Sequence, residues 1–126
     1  MNRTIHLSAP ASAALVSALI QYGIFYRGLA AKETDAALAA GHESAANGAD
    51  ALLPLARVTG AHELDKLAAG TLDRVVRMGS ASLQRVIGNR ALSPAIREVA
   101  KFEMTFLDEI HRELRPDLQH APRAPC

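Results

Sequence analysis

The sequence predicts an all-α fold, an Ala-rich helical bundle of three to four helices. Three observations carry this expectation. Alanine, the best helix former, supplies 25 of the 126 residues, and Leu, Arg and Glu are also frequent. No stretch shows a clean period-two alternation bounded by turn residues, so strands have no foothold. Prolines, glycines and hydroxyl residues punctuate the chain at helix-length intervals.

Residues 1–7 form a polar segment, expected to be a flexible lead-in. Ser8, with Pro10 just beyond it, reads as a helix start. Helical composition then continues over about 9–53, interrupted only by Gly23, Gly28, Gly41 and Gly48. Each glycine costs about 1 kcal/mol against Ala in a helix interior, which puts the weak points near 28 and 41–48. Pro54 and Arg57-Val58-Thr59-Gly60 end this region. A second helix is expected over 61–87, capped by Thr59 or Gly60 and carrying Glu63 in its first turn. Leu64, Ala68, Leu72, Val75, Gly79, Leu83 and Val86 repeat there at three and four residues, one helical face. Gly88-Asn89 is a natural stop. Ser93-Pro94 opens a third helix over 94–115, with the stripe Val99, Phe102, Phe106, Ile110 and Leu114. Residues 8–115 therefore read as a single helical domain. Residues 116–126, rich in proline and ending in Cys126, read as a disordered tail.

Composition narrows the function. Fourteen basic residues nearly balance thirteen acidic ones, for a formal charge of +1. That balance argues against a general attraction to nucleic acid. A single cysteine excludes an internal disulfide, a CxxC pair and a Cys-based zinc site. His42-Glu43 and His62-Glu63 begin a His-Glu-x-x-His motif without completing it. Asp108 lies three residues before His111, and Asp117 three before His120, but a helical di-metal bundle needs two Glu-x-x-His pairs and further carboxylates. There is neither a phosphate-binding glycine loop nor a nucleophile elbow. A non-catalytic protein without cofactor or metal is the expectation.

Residues 9–26 carry no charge. A transmembrane span would need about 20 strongly apolar residues, whereas this run contains Pro10, Ser12, Ser17, Gln21, Tyr22 and Tyr26. Arg3 before the run and Gly28-Leu29-Ala30 after it resemble a secretory signal, diluted at its centre by Gln21 and Tyr22. A buried or interfacial helix is the favoured reading, with Phe25, Tyr22, Tyr26 and Arg27 suited to an apolar–aqueous boundary. Between Arg74 and Lys101, six basic residues face one acid, Glu98. Arg74, Arg77 and Arg85 fall near one helical face, a candidate anion contact for phosphates. A solvated face is favoured over nucleic acid, because aromatic residues for base stacking are absent from most of the region.

Ala31 to Leu53 is a long helical stretch of small residues, followed by a break and the entry Ala61, Glu63, Leu64, Leu67. Over roughly residues 30–90 this resembles the phasins, small helical proteins that coat bacterial polyhydroxyalkanoate granules. The chain departs from the family in being richer in Gly and Pro, and in breaking into distinct helices. The resemblance implies a cytoplasmic, oligomeric protein at a granule surface, adsorbing through amphipathic helices. Leu15, Leu19, Ile24, Phe25 and Leu29, or alternatively Val99, Phe102, Phe106 and Ile110, would meet the apolar partner. The rival expectation is a small oligomerisation or partner-binding module of chaperone or adaptor type, whose apolar faces serve protein contact.

Overall fold

A computed structural model describes residues 2–115. It is a helical bundle with a small two-stranded sheet: β1 (Arg3–Leu7), α1 (Ala9–Lys32), α2 (Ala36–Asp50), α3 (Leu53–Ala56), β2 (Gly60–Leu64), α4 (Lys66–Gly88) and α5 (Pro94–Leu114). The tail expected at 116–126, with Cys126, lies outside the described residues.

The helix starts follow side-chain caps. Ser8 accepts from the Ala11 amide at 3.2 Å, and Pro10 sits in the first turn of α1. Ser93 accepts from the Ile96 amide at 3.3 Å ahead of Pro94. Both satisfy amides that would otherwise lack a partner at a helix end. The break in the first helical region falls at 33–35, within the expected 28–48 window but at none of its glycines. Asp35 accepts from the amides of Ala37 and Leu38 and so starts α2, whereas Gly28, Gly41 and Gly48 remain helical. A specific cap decides the boundary more strongly than a diffuse propensity penalty.

Two expectations are corrected at the sheet. Residues 3–7 form a strand rather than a flexible lead-in, and the second long helix begins at Lys66 rather than 61. β1 pairs antiparallel with β2, Arg3 opposite Leu64 and Leu7 opposite Gly60. Ile5, Leu7 and Leu64 point into the core, and the outward residues are polar or small. Gly60 adopts φ +109°, a conformation that favours glycine, and turns the chain into β2 instead of capping a helix. The cap of α4 is Asp65, which accepts from the Ala68 amide at 2.8 Å. On the outer side, the His6 amide donates to Glu113 Oε1 at 3.2 Å, fastening β1 to the end of α5. His6 Nδ1 lies 2.6 Å from Glu113 Oε2.

α1 is the central helix. It forms a hairpin with α2, and α4 and α5 form a second hairpin against its other flank. Leu15, Leu19, Leu72, Val75, Val76, Leu107 and Ile110 make the centre of the core with Ile5 and Leu64. Side-chain contacts lock the hairpins. Arg27 pairs with Asp50 across α1 and α2. The carboxylate of Asp73 on α4 receives Arg77 at 3.2 Å and lies 3.1 Å from His111 Nε2 on α5. Ser80 donates to Asp108 at 3.3 Å.

Candidate contact surface

The apolar residues expected at the surface divide between core and exterior. Leu15 and Leu19 are fully buried and Ile110 nearly so, which removes them from any contact surface. Their neighbours in the bundle already cover that side of α1 and of α5. Leu29 and Phe106 are half-buried. Ile24 (67% exposed), Phe25, Val99 and Phe102 (59% exposed) remain open, joined by Ile20 and Ile96, which sequence reasoning did not select. Ile20 could have been found from its spacing of four from Ile24.

At about 100° per residue, Ala13, Ser17, Ile20 and Ile24 lie within an arc of about 60° on the outer side of α1. Val99, Phe102 and Phe106 fill a similar arc on α5, and the rings of Phe102 and Phe106 meet edge-to-face at 4.9 Å. The two arcs flank one seam. Ser17 and Gln21 from α1 line it with Gly79 and Leu83 from α4 and Glu103 and Leu107 from α5. The exposed apolar residues of the two arcs are Ile20 and Ile24 on α1 and Val99 and Phe102 on α5, and the seam between these helices also holds Gln21 and Glu103. α1 and the segment after α3 also border an open groove with Arg57 and Thr59.

The apolar stripe expected on α5 is thus rotated. The buried row is Ala100, Leu107, Ile110 and Leu114, with Val99 and Phe102 on its outer flank. α1 is long and apolar enough by length and composition to cross a membrane, but its residues from Ala11 to Gly23 bury a continuous stripe within the bundle.

The three arginines of the candidate anion contact do not form one site. Arg77 is paired with Asp73. Arg74 donates to Thr71 Oγ1 at 3.3 Å and borders a cleft between α2 and α4. Arg85 stands exposed three turns further along α4. Among the described residues, no group of three or more His, Cys, Asp or Glu is arranged to hold a metal ion.

Tyr26 is the one side chain here whose acidity departs clearly upward for a physical reason of packing. Burial raises its phenol pKa above 10.0, and neighbouring Tyr22, ring centroids 4.6 Å apart, adds to the rise. Fold and surface together define a small helical protein with exposed apolar side chains on α1 and α5. No protein family, curated protein or solved structure matches the chain.

Proposed function

We propose that the protein is a non-catalytic surface protein that adsorbs to an apolar body through the α1/α5 side, in the manner of a phasin at a polyhydroxyalkanoate granule. The observation that carries the reading is the exposure of Ile20 and Ile24 on α1 and of Val99 and Phe102 on α5, two helices in contact, in a bundle whose core is filled by other residues. Covering such side chains contributes about 25 cal/mol per Å² of apolar area removed from water. The charged residues of α2 and the outer face of α4 then stay in water and keep coated bodies apart. On this reading the protein works in the bacterial cytoplasm, at the granule surface.

A second reading, self-association or capture of a partner helix through the same side, is favoured by Gln21 and Glu103. These polar groups lose water without recompense on a polymer, whereas a protein partner can pair them. Nucleic acid is not favoured, since Arg77 is already neutralised by Asp73.

Flotation with polyhydroxyalkanoate particles and anionic liposomes, at low and high salt, separates these readings. Salt-resistant binding to the polymer, lost in the double variant Ile24→Asp, Phe102→Asp, supports adsorption. Both positions are exposed, so the variant keeps the fold. A stable oligomer that the same variant dissociates, without polymer binding, supports the partner module and overturns adsorption. Binding only to liposomes, and only at low salt, overturns both.

A further inference from the structure

On the side of the molecule away from α5, α2 and α4 stand apart and leave a cleft of about 510 Å³. That volume lies within the range of small-molecule pockets, about 300–1,000 Å³. The wall contributed by α2 is Gly41, Ser44, Ala45 and Gly48, a stripe of small residues about 10 Å long, continued past the helix end by Ala51 and Leu52. A Cβ placed on Gly41 or Gly48 would meet nothing within 4 Å, so the space continues to the helix backbone. Tyr22, 3% exposed, closes the inner end. Leu67 stands at the rim, 79% exposed despite its apolar side chain.

Arg74 and Asp65 are the charged residues of the cleft lining, and a second, shallow depression on α4 adjoins it. Lys66, Gly70 and Arg74 follow at spacings of four on α4 and share a shallow depression with Leu67. Neither Lys66 nor Arg74 has a carboxylate within ion-pair distance among the described residues, and the Arg74 guanidinium reaches over Gly70, whose Cβ would lie 3.8 Å from Nη1. Asp65 also borders the cleft, where one of its carboxylate oxygens accepts from the Ala68 amide at the start of α4. A cleft lined largely by small and apolar residues, with Arg74 in its wall and Lys66 in the adjoining depression, matches a chain with one negative end. We propose that the α2/α4 cleft binds an amphipathic monoanion, an unbranched alkyl carboxylate whose chain lies along the small-residue stripe of α2 and whose carboxylate meets Arg74 and Lys66. A cationic amphiphile of equal length would be repelled at the mouth, and a neutral one would leave Arg74 without its charge-assisted hydrogen bond. This site is separate from the α1/α5 side and does not depend on its function.

Calorimetric titration of the full chain with dodecanoate, dodecanol and dodecyltrimethylammonium, each below its micelle concentration, tests the assignment. Saturable binding of dodecanoate, about tenfold or more tighter than dodecanol, is expected, with no binding of the cation. Arg74→Gln should weaken dodecanoate by about tenfold and leave dodecanol unchanged. Gly48→Leu should fill the cleft and abolish binding of both, with helical circular dichroism and melting retained. Ile24→Asp should bind dodecanoate as the wild type does. Equal binding of all three amphiphiles, no binding of dodecanoate, or undiminished binding by Gly48→Leu would overturn the proposal.

Discussion

Gly79 sits where three helices come closest, and replacing it with alanine separates packing from propensity. A Cβ on Gly79 would lie 3.0 Å from Leu107 Cδ1 on α5 and 3.2 Å from Ala18 Cβ on α1. Ordinary carbon contacts are about 3.5–4.0 Å, so the new methyl needs several tenths of an ångström from each neighbour. Leu107 is 1% exposed and closed in by the core, and Ala18 has no rotamer through which to retreat. Helix propensity favours the substitution by about 1 kcal/mol, and overpacking opposes it by about 1–3 kcal/mol. The net expectation is a loss of about 1 kcal/mol, or a fall in melting temperature of about 4 °C. Gly48→Ala is the control, because its Cβ meets nothing within 4 Å and only the propensity gain remains. Urea unfolding followed by helical circular dichroism should therefore give opposite signs for one chemical change in helices of similar kind. A Gly79→Ala protein as stable as Gly48→Ala would refute the close approach of α1, α4 and α5.

Three further outcomes test the fold. Ile5→Ala should cost about 2–5 kcal/mol in urea unfolding, because Ile5 is fully buried; a flexible lead-in would lose nothing measurable. Leu19→Asp should abolish cooperative unfolding, whereas Ile24→Asp, on the outside of the same helix, should leave the melting temperature within a few degrees of wild type. Stability should also fall in alkali. The raised pKa of Tyr26 means that the unfolded chain ionises first, so this contribution is complete below about pH 10 and is lost as pH rises through the folded value. Urea midpoints measured across that range should fall less in Tyr26→Phe, and with two tyrosines in the chain the phenolate absorbance is readily assigned.

Local signals made much of this architecture legible. Ser8 and Ser93 start α1 and α5 because a hydroxyl two or three residues ahead of free amides acts within one turn, whatever the rest of the chain does. Gly88-Asn89 ends α4 for an equally local reason. Asp35 and Asp65 act by the same mechanism, and reading them as caps would have placed the 33–35 break and the start of α4 correctly. The sheet was different. Ala61, His62 and Glu63 are good helix residues, and they become extended only because β1, far away in sequence, supplies hydrogen-bond partners and Leu64 is drawn into the core.

The contact side shows the same division. Periodicity determined that α1 and α5 each carry a broad apolar arc, since residues three and four apart must share a face. It could not determine which part of each arc is covered. Leu19 and Ile24, or Phe102 and Ile110, are equivalent in one helix considered alone. Their burial is decided by where the neighbouring helices lie, and that position is set by close approaches such as Gly79 against Leu107 and Ala18. The sequence alone determined the helical class and the helix ends set by Ser8, Ser93 and Gly88-Asn89. Tertiary packing decided which apolar residues became core and which stayed in water, because a helix buries only the strip its neighbours reach.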